Sequence, residues 1–230
     1  MRLVAAASKG YRDGMESGLE SLLISRLIGL AGDQGPGRAF ARVRAIPENG
    51  SDSDRIARAG LIPHDLVRLS SMKSQSRRNE FLEGRACLRE IRGEYETAGA
   101  FGAEAGLRLF LSLSHSHGLV LAVGWLGKEG ESIGIDVEPS AREVSARVAD
   151  WILPASERDA CRRSPLEAWV LKEASLKSDV PRTGRLLSEY RFTADDAILG
   201  PGGTRFKLEL IRSPGWLIAL AQRRVDTLRN

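Results

Sequence analysis

Three strand-like segments succeed one another between Leu107 and Glu138, separated only by short connections. Leu107 to Leu113 and Leu119 to Trp125 flank the tight stretch Ser114-His115-Ser116-His117-Gly118. Gly127 to Glu131 is a charged turn, and Ser132 to Glu138 is a third strand ending at Pro139. Helical patterns lie to either side. From Ser74 to Tyr95, Phe81, Leu88, Ile91 and Tyr95 recur at helical spacing, while Arg78, Arg85, Arg89 and Arg92 fall on another face. That basic face is either solvated or anion-binding. Ser164-Pro165-Leu166-Glu167 is a sharp helix start: Ser164 caps, Pro165 suits the first helical position, and Glu167 completes a capping box. The helix runs to about Ser178 and stops before Pro181. In the tail, Phe206, Leu208 and Leu210 alternate, Ser213-Pro214-Gly215 turns, and Trp216 to Ala221 returns as the second arm of a hairpin. Strands grouped apart from helices describe an α+β chain.

The first 60 residues are less legible. Leu19, Leu22, Leu23, Leu27 and Leu30 mark a short amphipathic helix over Leu19 to Leu30, followed by breaks at Gly32 to Gly37 and Pro47 to Ser53. With 230 residues, 42% of them hydrophobic, the chain can bury one sizeable core or two small ones packed together. No run approaches the roughly 18 apolar residues of a membrane span, and Leu3 to Ala7 is too short for a secretory segment. A cytoplasmic protein is expected. Cys87 and Cys161 lack zinc-ligand or Cys-x-x-Cys spacing and are expected to be reduced, buried thiols. The net charge of +4 suits acidic or phosphorylated ligands no better than it suits simple solubility. No basic run interleaves with aromatics, which disfavours nucleic acid.

Two pairs of residues carry chemistry. Asp136 and Glu138 are two apart on a strand, so both point to one face, among Ile133, Ile135 and Val137. Adjacent carboxylates near a core repel each other and lose hydration. A divalent cation resolves that conflict, and hard oxygen donors suit magnesium, which completes its shell with water and substrate phosphates. Alone, the pair reads equally well as two solvated acids. Glu173 and Lys177 lie one helical turn apart, on the face that carries Trp169. They are either a surface ion pair, or a metal ligand and general base beside a lysine that neutralises phosphate charge.

Ile133-Gly134-Ile135-Asp136-Val137-Glu138, followed by Trp169-x-x-Lys172-Glu173-Ala174-x-x-Lys177, resembles the two-part signature of the phosphopantetheinyl transferases, most closely the surfactin-synthetase-activating type. Leu113-Ser114-His115-Ser116 resembles the family's Ser-His-Ser element, and Glu80-Phe81-Leu82-Glu83-Gly84-Arg85 resembles its Glu-Phe-x-x-Gly-Arg helix. The resemblance covers about Arg77 to Lys177 and, more loosely, the terminal hairpin. It implies a pseudo-twofold pair of similar α+β halves, 1–131 and 132–230, each with a long helix packed on a small antiparallel sheet, and a site in the cleft between them. The implied activity is magnesium-dependent transfer of the phosphopantetheine arm of coenzyme A to a serine of an acyl or peptidyl carrier protein. The by-product is adenosine 3′,5′-bisphosphate. Such carriers serve fatty-acid, polyketide or nonribosomal-peptide synthases. By position, Asp136, Glu138 and Glu173 would hold the magnesium. Glu173 would take the serine proton, and Lys177 would stabilise the transition state. Lys172, Arg85, Ser114 and His115 would contact coenzyme A, the last two on its 3′-phosphate side. A monomer is expected, without membrane or nucleic-acid partners.

Two stretches depart from the family pattern. Ala98 to Gly106 lacks the proline and lysine of the coenzyme-positioning loop, and Ser178 to Arg185 is diverged. Three alternatives follow. The first is a non-catalytic relative that binds carrier protein or coenzyme A. The second is a metal-dependent phosphohydrolase, which would leave the Ser-His-Ser element without a purpose. The third is an unrelated α+β interaction module.

Overall fold

The three expected strands form, but they divide between two sheets. The computed structural model describes residues 2–31, 39–46, 52–98, 107–158, 163–179, 185–193 and 197–223. The break expected at 32–37, most of that expected at Pro47 to Ser53 (whose last two residues open a helix), the stretch 99–106, Cys161 and Pro181 lie outside the described residues, as does the interior of the diverged segment after Ser178. Chain order is α1 (Arg2–Ala31), β1 (Ala39–Ala45), α2 (Asp52–Ala59), α3 (Pro63–Ser71), α4 (Gln75–Ala98), β2 (Arg108–Ser116), β3 (Leu119–Gly127) and β4 (Ser132–Pro139). Then follow α5 (Ala146–Ile152), α6 (Ala155–Arg158), α7 (Pro165–Ser178), β5 (Arg191–Phe192), β6 (Ile198–Leu199), β7 (Arg205–Ser213) and β8 (Trp216–Arg223). The protein is α+β, with two antiparallel sheets ordered β1-β3-β2 and β4-β8-β7-β6-β5.

β2 and β3 make a hairpin in which Ser116 pairs with Leu119. His117 (φ 46°) and Gly118 (φ 82°) form its two-residue turn. Both central residues lie in the left-handed region that a tight, twist-matched hairpin requires. β2 therefore continues three residues beyond Leu113, through the stretch expected to be a connection. The apolar alternation stops there because Ser112, Ser114 and Ser116 face β4 rather than a helix.

Both sheets are covered on two faces. On one face, Leu19, Leu23, Leu27 and Leu30 of α1 share a core with Val123 and Trp125 of β3, Ile135 of β4 and Ile218 of β8. The leucine stripe is as expected, but its helix begins at Arg2, because helix formation continues through the Ala-rich start. On the other face, α4 lays Cys87 and Ile91 on Val120 and Ala122 of β3. Burial pushes the Cys87 thiol up to about 12, which makes it inert. α7 packs Val170, Leu171 and Ala174 against Ala219 and Ala221 of β8.

The arginine face of α4 is partly solvated, with Arg89 and Arg92 exposed, and partly engaged by neighbouring helices. Arg78 donates to the carbonyl of Leu69 at 3.0 Å, Arg85 pairs with Asp65 at 2.8 Å, and Arg89 donates to the carbonyl of Ala57 at 3.1 Å. The face holds down α2 and α3, two helices the sequence pattern does not announce. Arg78 and Arg89 meet the carbonyl ends of α3 and α2, where cations are favoured.

The capping box at the start of α7 forms as expected. Ser164 Oγ accepts from the Glu167 amide at 3.3 Å, and the Ser164 amide donates to Glu167 Oε2 at 2.9 Å. α7 approaches β4 so closely that only glycine fits at position 134. A Cβ there would lie 1.9 Å from the Ala174 carbonyl oxygen. Gly134→Ala should therefore push α7 off β4 and cost more than about 2 kcal/mol. The check is a lower urea midpoint at unchanged m-value.

Candidate functional site

β4 is the edge strand of its sheet, and β2 lies along that edge without pairing to it. Hydroxyls fill the seam. The amide of Ile135 donates to Ser112 Oγ at 3.0 Å. Ser114 Oγ donates to Asp136 Oδ1 at 2.8 Å, and Ser116 Oγ donates to Glu138 Oε2 at 2.7 Å. Strand periodicity on both sides brings alternate serines to successive acceptors. Asp136 and Glu138 are 5% and 8% exposed, so neither is a solvated acid.

α7 supplies the second layer. Because Gly134 lets it sit low on β4, Lys177 Nζ reaches Asp136 Oδ1 at 2.7 Å and Ser114 Oγ at 3.0 Å. Glu173, one turn earlier, is half-buried. Burial pushes its carboxyl up from the ordinary range, and the Asp136 and Glu138 carboxylates push it further, against opposition from Lys177 and Arg142. Arg142 pairs with Glu138, and its guanidinium lies over the Trp169 ring at 5.0 Å.

His115 alternates to the opposite side of β2, where Nδ1 is 3.1 Å from Glu80 Oε2 on α4. Burial lowers its pKa; Lys177, Arg77 and Arg68 lower it further, while Glu80 opposes them. The lowered pKa favours the neutral ring, which weakens its pairing with Glu80.

Ser114, Asp136, Glu138, Glu173 and Lys177 thus gather at the junction of β2, β4 and α7, while His115 lies across β2 from them, toward α4. Two further expected site residues do not join them. Lys172 is fully buried, donating to the Ile152 carbonyl at 2.6 Å and pairing with Glu157 at 3.0 Å. It lies one residue, and so about 100° around the helix, from Glu173. Arg85 turns toward α3, lies 5.0 Å over the Phe81 ring, and lines a separate cavity of about 360 Å³ with His64, Asp65, Arg89 and Arg92. Ser116 and Arg142 went unassigned in the sequence. Ser116 was legible as the next alternation after Ser114, and Arg142 as a basic residue four positions after Glu138; its stacking on Trp169 was not legible.

The chemistry of the donor set fits a divalent cation. Glu173 is within electrostatic reach of both Asp136 and Glu138, and Asp136 Oδ2 is a buried oxygen without a hydrogen-bond partner. Among the described residues, no three His, Cys, Asp or Glu side chains close on one point as they stand. Asp136 and Glu138 are instead engaged by Lys177 and Arg142. Among the described residues, no helix is long and apolar enough to cross a membrane. No family model matches the chain, and no curated protein matches it.

Two outcomes follow from this geometry. Lys172→Ala should leave Glu157 buried and unpaired and cost about 3–5 kcal/mol, read by denaturant unfolding, because Lys172 acts on stability from the interior. For Glu173 the folded-state pKa lies above the unfolded one. Folding is therefore favoured by its protonation at low pH and opposed as pH rises through the folded value. In the presence of a chelator, Glu173→Gln should raise the melting temperature at pH 8, and the gain should vanish below roughly pH 4.

Proposed function

We propose that this protein transfers the 4′-phosphopantetheine arm of coenzyme A to a serine hydroxyl of an acyl or peptidyl carrier protein, releasing adenosine 3′,5′-bisphosphate. One observation carries the reading. Three motifs remote in sequence meet by direct hydrogen bonds: Ser114 of the Ser-His-Ser element, Asp136 of the Asp-x-Glu strand and Lys177 of the Lys-Glu-x-x-x-Lys helix lie within 2.7–3.0 Å of one another. A solvated-face explanation of each motif gives no reason for them to converge.

On this reading the chain acts in the cytoplasm as a monomer built of two comparable halves, 1–131 and 132–230. The supporting facts are that α4 covers one face of the first sheet, α7 covers one face of the second, and the boundary falls between β3 and β4. A magnesium ion held by Asp136, Glu138 and Glu173 would neutralise pyrophosphate charge and polarise the phosphorus under attack. The rest is protein chemistry. Glu173, made more basic by its neighbours, accepts the serine proton as Oγ bonds to the phosphorus bearing the pantetheine arm. The bond from that phosphorus to the bridging oxygen breaks, and the bisphosphate leaves with the electron pair. The Lys177 ammonium offsets the charge that builds on it. His115, half-exposed at the same strand end, is available to the coenzyme's 3′-phosphate side.

A non-catalytic protein that binds carrier or coenzyme is the second reading. It is favoured by Lys177 and Arg142, which already neutralise Asp136 and Glu138. Incubation with coenzyme A, magnesium and apo carrier proteins of several classes separates the two. Transfer adds roughly 340 Da to the carrier by intact mass, as a covalent group transfer requires. Glu173→Gln should lower the rate about 100-fold or more. No gain on any carrier, with coenzyme A still bound, selects the second reading.

A further inference from the structure

We propose that Ser114 and Ser116 are positioning residues for a divalent cation site, orienting Asp136 and Glu138 rather than binding phosphate. The inference rests on reading Asp136, Glu138 and Glu173 as cation ligands and does not require the transfer reaction. Each serine fixes one oxygen of one carboxylate: Ser114 takes Asp136 Oδ1 at 2.8 Å, and Ser116 takes Glu138 Oε2 at 2.7 Å.

Ser114 is fully committed. Its single hydroxyl proton goes to Asp136, and its oxygen accepts from Lys177 at 3.0 Å. A hydroxyl used in this way has no proton left for a phosphate oxygen. At 3% exposure it also offers little surface to a ligand.

The consequence for Asp136 is specific. Both donors, Ser114 and Lys177, converge on Oδ1, while Oδ2 is buried with no hydrogen-bond partner. Lys177 offsets the carboxylate from the Oδ1 side, and a buried polar oxygen left without a hydrogen bond is costly, so Oδ2 is the oxygen open to a cation. Groups that hydrogen-bond a ligating carboxylate fix its rotamer and so set metal affinity. Period-two spacing of serines and acids on two facing strands gives both carboxylates the same support from one element, β2. Ser112 continues the row onto the Ile135 amide, so the seam is anchored beyond the acids themselves.

The test is manganese binding to the full chain without coenzyme or carrier, read from the electron paramagnetic resonance signal of free Mn²⁺. Wild type should bind one ion, and Asp136→Asn should abolish that binding. Ser114→Ala and Ser116→Ala should each weaken it about 10–100-fold, and Ser114→Thr, which keeps the hydroxyl on a strand, should restore most of it. If Ser114→Ala fails to fold by circular dichroism, Ser116→Ala, at the more open end of the seam, carries the test. Unchanged affinity in the folded alanine variants overturns the proposal, as does equal binding by wild type and Asp136→Asn. A raised KM for coenzyme A with manganese affinity intact also overturns it, by returning Ser114 to phosphate binding. Weakened manganese binding in a protein that modifies no carrier upholds the positioning role while the transferase reading fails.

Discussion

The hydroxyl seam between β2 and β4 is the contact on which the rest of the site depends. Two sheets meet there without sharing a backbone ladder. An edge strand left bare exposes unpaired amides and invites aggregation. In this chain the Ser112 hydroxyl accepts the Ile135 amide, and the neighbouring serines engage the acids beside it. One row of small polar side chains thereby closes the edge and holds two carboxylates in place. The seam also explains how Asp136 and Glu138 can be almost fully buried and still have polar partners. Each has a hydroxyl on one side and a cationic side chain, Lys177 or Arg142, on the other.

Glu173 is the exception. Burial and the nearby Asp136 and Glu138 carboxylates raise its proton affinity, against Lys177 and Arg142. Three acids sharing two cations leave one carboxylate poorly compensated, which suits a base or a ligand and costs stability. Sites of this kind commonly trade folding energy for chemistry. The scaffold around it is correspondingly firm. The core under α1 runs through strands of both sheets, so the two sheets share one interior. Gly134 and Ala174 are small because the α7 backbone must come down to β4 for Lys177 to reach Asp136.

Much of the local structure was legible. Ser164, Pro165 and Glu167 announced the start of α7; the leucine stripe marked α1; and Ser213-Pro214-Gly215 marked the terminal hairpin. The carboxylate pair and the Glu173–Lys177 spacing were legible because each is local, two residues on a strand and four on a helix. α2, α3 and β1 were not legible. The short helices carry only a few apolar contacts, Ile56, Ala59 and Leu69 against Phe81 and Leu82, too few to read as a stripe, and β1 derives its pairing from β3.

The sequence by itself determined which residues could share a face, where helices begin, and which side chains carry charge. These follow from backbone periodicity and capping, which act over a few residues. Tertiary structure alone decided which faces meet. It sent Lys172 into the interior with Glu157 while its neighbour Glu173 turned to the acids. It turned Arg85 toward Asp65, 20 positions away. It also made Ser114 a partner of residues 22 and 63 positions away. Long-range contacts of this kind depend on how sheets and helices pack as bodies, and no local pattern encodes that distance.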